Sequence, residues 1–394
     1  MARIHRMPTR DETEDLSAWS LPAWVYDDPG FFALERERVF MPSWQLVCHE
    51  ADMPESGDYV TFDFMGEPLV ALRGGDGAVR VFFNVCRHRA SRLLDGSQGN
   101  CGRAVQCPYH AWTYGLDGSL RKVPYEKTFD GFDKAAHGLA QPQTEVWNGF
   151  VFARIEDDGG PSVAALMAPY AEELAPYRFT EMKPLGRVTL RPRSVNWKNI
   201  TDNYADGLHI PVAHDGLTSL FGSSYRIEVG GMVHKMSGEP VERTAQGWSV
   251  RGYLKHLPQA NHLPEGRRRL WAYYKLFPNL AFDVYPDQID FMQMIPVSPT
   301  ETIIREIPYA LPDDRREMRA ARYLNWRINR VVNTEDTQLV ANVQAGMASR
   351  SYAAGPLSRE EVCLRDFAET MRRRLPVCRL PEAPPPEEMA AYRP

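Results

Sequence analysis

Residues 196–214 read NWKNITDNYADGLHIPVAH and place one carboxylate, Asp206, close to two imidazoles, His209 and His214. Residues three apart share a face of a helix, so Asp206 and His209 are expected to lie side by side. Residues five apart do not align on a straight helix. Pro211 lacks an N–H, which predicts that the helix bends or ends between the two histidines. They would then converge on one metal ion; the alternative is a helix end with two partly exposed imidazoles.

The composition is that of a globular protein large enough for two or three domains. The chain has 394 residues, of which 43% are hydrophobic and 25% charged. Its net charge of −5 argues against nucleic acid as the main partner, because phosphate binding needs a concentrated basic patch. No apolar run reaches the roughly 18 residues of a membrane span, and residues 1–14 lack the apolar core of a signal peptide. We therefore expect a cytoplasmic protein without a membrane partner.

The cysteines are few and unevenly placed: Cys48, Cys86, Cys101, Cys107, Cys363 and Cys378. This is not the pattern of a disulfide framework. It indicates reduced thiols in a cytoplasmic protein, some of which are candidate metal ligands.

The pattern of apolar residues, glycines and prolines predicts an α+β fold with four parts. These are an N-terminal helical lead-in (1–45), a β domain (46–155), an α+β domain (156–380) on which the lead-in packs, and a flexible Pro-rich tail (381–394). Strands are predicted at 58–64, 68–73, 79–84, 147–155, 186–195, 272–277, 280–285, 291–297 and 300–309, and helices at 162–173 and 313–347.

A second group of candidate ligands lies in the β domain. Cys86-Arg87-His88 and Cys107-Pro108-Tyr109-His110 each offer one thiolate and one imidazole beside Gly-rich turns. A structural Cys2His2 zinc site and a Rieske [2Fe–2S] cluster, with two Cys on one iron and two His on the other, both fit. Zinc fingers usually pair Cys with Cys, so the mixed order favours the cluster. Cys101 is interpreted as a bystander.

The two motifs together resemble the Rieske non-haem iron (ring-hydroxylating) oxygenases, specifically the alpha subunit that forms the terminal oxygenase. CRHRA at 86–90 and CPYHAWTY at 107–114 resemble the family's Rieske motif, and 206–214 resembles its mononuclear-iron motif. The family usually has Gly where Ala111 stands, and the gap between the Rieske blocks is slightly long. The resemblance implies an antiparallel β Rieske domain ahead of a catalytic domain with a helix-grip-like sheet flanked by helices.

The resemblance also implies the ligands. Cys86, His88, Cys107 and His110 would hold the cluster, and His209, His214 and a downstream aspartate would hold Fe(II). Asp206 would instead link the iron-bound histidine to a cluster histidine of a neighbouring subunit, His110 rather than His88.

Asp336 is the candidate for the downstream aspartate. It shares a helical stripe with apolar residues: Ile328, Val332, Leu339, Val340 and Val343. A carboxylate in such a stripe needs a cation, which a metal supplies. A salt bridge to a buried arginine is the alternative, and Glu335, on another face, is the fallback ligand.

The implied function is oxygenation of a small organic substrate with O2 and electrons from NAD(P)H. The electrons would come through a flavin and iron–sulfur reductase, with or without a ferredoxin, and the implied assembly is a homotrimer. A Rieske electron-transfer protein and a zinc-stabilised binding module are weaker alternatives. Monohydroxylation, dihydroxylation and demethylation stay open.

The substrate pocket is expected among apolar and aromatic residues around the iron: Asp202, Leu208, Val212, Leu217, Phe221, Tyr273, Phe282, Tyr285, Phe291 and Met294. Such a pocket favours an aromatic or aromatic-acid substrate. An aromatic box also attracts a quaternary ammonium by cation–π contact. The chain length, the NWKN lead-in and GPLSREE at 355–361 resemble the choline-, betaine- and carnitine-type branch, although that branch often has Glu where Asp206 stands.

Overall fold

The computed structural model describes residues 15–241, 247–257 and 260–392, and the chain forms two compact units. The larger unit contains Met1–Phe40, Tyr170–Tyr177 and Leu185–Pro394, and the smaller unit contains Met41–Pro169 and Arg178–Pro184. The first part of the predicted lead-in, 1–14, lies outside the described residues.

Eighteen strands and ten α-helices are described. The strands are β1 Gln45–His49, β2 Asp58–Phe64, β3 Glu67–Arg73, β4 Val79–Phe83, β5 Gln98–Asn100, β6 Ala104–Gln106, β7 Thr113–Gly115, β8 Leu120–Lys122, β9 Gln143–Trp147, β10 Phe150–Arg154, β11 Lys183–Pro184, β12 Thr189–Arg193, β13 Arg226–Gly230, β14 Val233–Gly238, β15 Trp271–Leu276, β16 Leu280–Val284, β17 Ile289–Ser298 and β18 Glu301–Ala310. The helices are α1 Pro29–Glu35, α2 Val163–Met167, α3 Ala171–Leu174, α4 Trp197–Ala205, α5 Ile210–Ala213, α6 Asp215–Phe221, α7 Trp248–His256, α8 Arg316–Met347, α9 Val362–Arg374 and α10 Pro386–Ala390.

The smaller unit is built from antiparallel sheets, as predicted. Their strand orders are β1-β10-β9, β4-β3-β2-β5 and β6-β7-β8. Apolar residues of β3, β4, β6 and β7 form one buried cluster with Cys86, Cys107 and Trp112. The core of this unit therefore lies directly beneath the Cys and His motifs.

The predicted strand 147–155 is confirmed as β10, Phe150–Arg154, but its first residues belong to a hairpin with β9. β9 ends at Trp147, β10 begins at Phe150, and the two pair antiparallel with Trp147 opposite Phe150. Asn148 and Gly149 form the turn with positive φ angles of 49° and 84°. Asn-Gly is the preferred pair for a two-residue hairpin turn, since both positions need left-handed backbone.

The larger unit combines an antiparallel sheet with helices, so the α+β prediction is confirmed. The sheet order is β18-β17-β16-β15-β14-β13, and β12 pairs with β18. The long helix α8 was predicted to within a few residues. The predicted helix 162–173 is interrupted between α2 and α3, where Pro169 lacks the N–H that a continuous helix needs.

Two buried cations attach the N-terminal segment to the rest of the larger unit. Lys198, at the start of α4, forms a fully buried ion pair with Glu35 of α1, with Nζ 2.6 Å from Oε1. Arg372 of α9 is also buried and donates to the carbonyls of Leu16 (3.1 Å), Trp19 (2.7 Å) and Ser20 (2.9 Å).

The tail is more ordered than predicted, because it contains α10 and buries Met389. Residues 393 and 394 lie outside the described part of the chain. Among the described helices, none combines the length and apolarity that crossing a bilayer requires.

Candidate metal centres

Two loops of the smaller unit share one backbone design. In the first, the Cys86 N–H donates to Ser91 O (2.8 Å) and the Ala90 N–H donates to Cys86 O (3.1 Å). Ala90 has a φ of 54°. Each bond closes the loop around the side chain of His88.

The second loop repeats the design. The Cys107 N–H donates to Trp112 O (2.8 Å), and the Ala111 N–H donates to Cys107 O (3.1 Å). Ala111 has a φ of 55°, in the left-handed region that glycine adopts without steric cost. This explains why the resembling family usually has Gly at this position, and the equivalent alanine of the first loop shows that the backbone accommodates the methyl group.

The four side chains at the loop tips fit a histidine-ligated [2Fe–2S] cluster. The His88 and His110 rings are 4.6 Å apart, and the Cys86 and Cys107 thiols are hydrogen-bonding neighbours. His88 Nδ1 is buried without a hydrogen-bond partner within the described residues. A buried ring nitrogen is expected to have a partner, and an iron atom would supply it. Cys101 lies apart and donates to Gly57 O (3.3 Å).

Neighbouring groups shift the pKa values of the two thiols in opposite directions. Burial raises the pKa of Cys86, against the hydrogen bond with Tyr114 Oη at 3.3 Å. Burial also opposes ionisation of Cys107, but the backbone N–H groups of His110 and Tyr109 outweigh it and lower the pKa of that thiol. Backbone N–H groups that point at Cys107 Sγ are the donors a cluster thiolate needs.

In the larger unit, the segment between α4 and α5 positions the second group of ligands. Asn196 caps α4 by accepting from the Lys198 N–H (2.9 Å), and the helix ends at Ala205, with Asp206 as its C-cap. Asp206 and His209 therefore do not share a helical face, but they lie side by side as predicted, with His209 Nδ1 3.0 Å from Asp206 Oδ2. Pro211 does not bend a helix; it occupies the first turn of α5, where its missing N–H costs nothing.

The ligand atoms of His209, His214 and Asp336 all lie within 4.8 Å of one another. His214 Nε2 is 3.1 Å from His209 Nε2 and 3.0 Å from Asp336 Oδ1, and His209 Nε2 is 3.6 Å from the same oxygen. Two imidazoles and a carboxylate converging on one point can occupy one face of an octahedral iron and leave the other positions open. The arginine salt bridge considered for Asp336 is not formed in the described structure.

Three further side chains orient these ligands. His209 Nδ1 donates to Asp206 Oδ2 (3.0 Å), His214 Nδ1 donates to Glu335 Oε2 (2.7 Å), and Asn203 Nδ2 donates to Asp336 Oδ1 (3.0 Å). Glu335 is therefore not one of the three side chains that converge, although the sequence predicted it as the fallback ligand. Asn203 was not predicted, although its position one turn before Asp206 on α4 was a usable signal.

The charges around His209, His214 and Asp336 favour a bound cation. Burial alone would raise the pKa of Asp336, but the hydrogen bonds from His209 and His214 hold it at about 2. Burial opposes protonation of His209, and Asp206 and Asp336 outweigh it and raise its pKa to about 9. Excess negative charge of this kind is what a divalent ion neutralises.

A cavity of about 460 Å³ opens beside the three converging ligands. Of the predicted pocket residues, Leu217, Tyr273 and Phe291 line it. It is also lined by residues that were not predicted, among them Tyr204, Tyr225, Met236, Asp283, Asp290, Glu306, Arg191 and Arg193.

The other predicted pocket residues lie elsewhere. Val212 is 87% exposed and Leu208 is 47% exposed. Asp202 accepts from Tyr26 Oη (2.9 Å) away from the cavity. The remaining four are core residues: Phe221, Phe282, Tyr285 and Met294. Strand alternation explains Phe282, which faces away from the cavity because its neighbour Asp283 faces into it.

Three acidic residues of adjacent strands share the cavity face of the sheet. Asp283 and Asp290 are directly opposite each other on β16 and β17. Asp283 accepts from Tyr204 and Tyr285 hydroxyls, and Asp290 accepts from the Gln288 amide at 3.0 Å. All these donors are neutral.

Burial raises the pKa of Asp283 to about 7. Burial, followed by the charge of Asp283, raises the pKa of Asp290 well above its ordinary range. Glu306, in contrast, has a cation, since Arg191 lies 2.8 Å from it.

Comparisons with known proteins add to this geometry. The family model for the ring hydroxylating alpha subunit (catalytic domain) matches residues 179–376, and that for the Rieske [2Fe-2S] domain matches 43–141. The carnitine monooxygenase oxygenase subunit of Escherichia coli (strain K12) is 30% identical over 344 residues, which cover 85% of this chain and 86% of that protein. The chloroplastic choline monooxygenase of Spinacia oleracea is 28% identical, with 89% and 76% covered. A solved structure of a quaternary ammonium Rieske monooxygenase has a similar fold, with a TM-score of 0.75 at 24% identity and 92% and 95% of the two chains covered.

Proposed function

The chain belongs to the ring-hydroxylating alpha-subunit family of Rieske oxygenases, and from this premise we propose that it hydroxylates a small organic cation of the alkylammonium type. It is the terminal oxygenase of a multicomponent system, with a [2Fe–2S] cluster and a mononuclear iron, and needs a reductase partner. The sequence-based recognition of the family and of both cofactors is confirmed.

The ligand assignment is part of the proposal. Cys86, His88, Cys107 and His110 hold the cluster, and His209, His214 and Asp336 hold the iron, because these side chains converge in two places with the donor types each group requires. When bound, the iron activates dioxygen with electrons that the cluster relays. The chain itself fixes the ligand geometry, since Asp206 orients His209 and Asn203 orients Asp336.

The assembly is proposed on the family resemblance. We propose a homotrimer in which Asp206 connects His209 to a cluster histidine of the neighbouring subunit. We also propose that a flavin and iron–sulfur reductase that uses NAD(P)H supplies electrons to the cluster. We propose a cytoplasmic location because the cysteines of the sequence are few and unevenly placed.

The acidic face of the cavity carries the substrate proposal. Asp283 and Asp290 lie opposite each other with neutral donors only, and two like charges in cross-strand positions destabilise a sheet unless a cation or a proton intervenes. Tyr204, Tyr225 and Tyr273 line the same cavity and offer aromatic faces to a cation. The names of the relatives, carnitine and choline monooxygenases, refer to substrates with such a cationic group.

The aromatic substrate that the sequence favoured is the second candidate. Its support is the apolar and aromatic part of the lining, which includes Leu217, Met236 and Phe291. An aromatic acid would have to direct its carboxylate away from Asp283 and Asp290, towards Arg191 and Arg193 of the same lining, and this restriction is why we place the cation first.

The double substitution Asp283→Asn/Asp290→Asn is expected to weaken binding of choline or carnitine about thirty-fold, because it removes the one negative charge that the pair offers to the quaternary ammonium group, an electrostatic attraction on the order of 2 kcal/mol. Both groups are replaced because either alone can carry the charge of the pair. Titration calorimetry of the iron-loaded protein in buffers of different ionisation enthalpy measures affinity and proton release together. A cation lowers the pKa of carboxyls that burial has raised, so binding at neutral pH is expected to release protons.

The matched control is Glu301→Gln, an exposed acidic residue at the start of β18. It is expected to bind the cations like the unmodified protein. Unchanged affinity in the double variant would contradict the cation proposal, and tight binding of benzoate with weak binding of both cations would favour the aromatic candidate.

A further inference from the structure

Each imidazole of the proposed iron site is hydrogen-bonded through Nδ1 to a carboxylate, but the two carboxylates belong to different segments of the chain. Asp206 is three residues from His209 and belongs to the same segment, whereas Glu335 reaches His214 from α8. We propose that Glu335 is a positioning residue that fixes the tautomer and orientation of His214 and thereby raises the affinity of the site for iron. This inference rests on the proposed ligand set.

The chemistry of imidazole makes the Glu335 contact decisive for the tautomer. A neutral imidazole has one N–H and one lone pair. An anionic acceptor 2.7 Å from Nδ1 holds an N–H there, so Nε2 is the nitrogen that can give up its proton and offer a lone pair to a metal ion. Nε2 is the atom that faces Asp336 and His209. His214 is fully buried, so no bulk water competes for Nδ1.

Helix α8 holds His214 at both ring nitrogens. Glu335 and Asp336 are consecutive on α8, and their carboxylates lie 2.7 Å from Nδ1 and 3.0 Å from Nε2 of the same ring. The ring is thereby fixed between two side chains of one rigid element. Glu335 is 36% exposed, which leaves its carboxylate in partial contact with water.

In this arrangement Glu335 acts on iron binding alone, whereas Asp206 also takes part in the proposed electron transfer between subunits. A carboxylate behind a metal-bound histidine raises the basicity of the ligand, and its loss typically costs about 10–100-fold in metal affinity. Asp206 already has a second role in the proposed connection to the neighbouring subunit. Glu335 has none in the described structure, so its substitution should change iron affinity and ligand geometry first.

The test compares Glu335→Gln and Glu335→Ala, with Glu317→Gln as a matched control on an exposed position of α8. Glutamine keeps an acceptor oxygen but loses the charge, and alanine loses both. We expect the Fe(II) dissociation constant to rise about tenfold for the first and about a hundredfold for the second. Glu317→Gln should leave it unchanged.

Two readouts distinguish positioning from a general structural role. The EPR spectrum of the nitric oxide adduct of the Fe(II) site should broaden, as His214 loses its fixed orientation. The thermal unfolding temperature of protein stripped of mononuclear iron, with the cluster retained, should equal that of the unmodified protein. Unchanged iron affinity and spectrum in both variants, or a fall in the iron-free unfolding temperature that accounts for the weaker binding, would overturn the inference. If the unmodified protein binds no mononuclear iron, the proposed function itself fails.

Discussion

Replacing Asp336 with alanine is expected to remove the mononuclear iron and abolish product formation while the cluster stays intact. The unmodified protein should contain about three irons and two sulfides per chain, about two irons belonging to the cluster and one to the mononuclear site. Without Asp336 the two imidazoles lose the carboxylate that faces both of their Nε2 atoms. Product formation should fall by about a thousandfold or more.

The measurement is iron and sulfide content with visible and EPR spectra of protein purified without oxygen. Asp314→Ala, an exposed position just before α8, is the matched control and should retain all the iron. A full complement of iron in Asp336→Ala would remove Asp336 from the ligand set. Zinc without sulfide in the unmodified protein would refute the proposed cluster ligands.

Asp206→Asn is expected to retain the cluster, to bind Fe(II) about tenfold more weakly, as Glu335→Gln does, and, when loaded with excess Fe(II), to uncouple cluster reduction from oxygenation. Asparagine keeps an oxygen acceptor for His209 Nδ1 at the same reach, so the ring orientation survives and only the charge is lost. Product formation should fall about a hundredfold, the upper range for removing a carboxylate that orients a metal-bound histidine.

Rapid-mixing kinetics separate the steps. Reduction of the cluster by the reductase should proceed at the normal rate. Reoxidation in the presence of substrate and dioxygen should be slow, because the proposed connection between subunits runs through Asp206. Normal turnover would disprove the proposed role of Asp206. Glu335→Gln, loaded with Fe(II) in the same way, gives an internal contrast, since its cluster should be reoxidised at the normal rate.

The proposed metal sites could be identified from sequence because most of their candidate ligands are close together in the chain. Cys86, His88, Cys107 and His110 belong to two short loops, and His209 and His214 flank one turn of helix. Such spacing restricts which atoms can meet, whatever the rest of the fold does. The one distant candidate, Asp336, could be found because a carboxylate within an apolar helical stripe needs a cation.

The cavity was less predictable because it depends on which side of each strand faces inwards. Asp283 and Phe282 are neighbours in sequence, yet only Asp283 lines the cavity. A hydrophobic pattern identifies a buried strand face but does not say whether it meets a core or a cavity. The aromatic pattern of the sequence therefore predicts the core residue Phe282 as a lining residue and gives no sign of the acidic face, on which the substrate proposal rests.

Local backbone chemistry accounts for the other differences. The apolar residues around Asn148 and Gly149 favour a continuous strand, although these two residues form a turn. The three-residue spacing of Asp206 and His209 favours a continuous helix, although α4 ends at Ala205. Glu335 could not be assigned from sequence, because its contact with His214 spans 121 residues of chain.

The attachment of the N-terminal segment has a consequence for how the protein is made. Leu16, Trp19 and Ser20 are bound by Arg372, more than 350 residues later in the chain. All residues of the smaller unit have been synthesised by Pro184. During translation, that unit can fold while most of the larger one is still being made, whereas the native larger unit must wait for its last long helix. Assembly of the cluster can therefore precede loading of the mononuclear iron in the newly made chain.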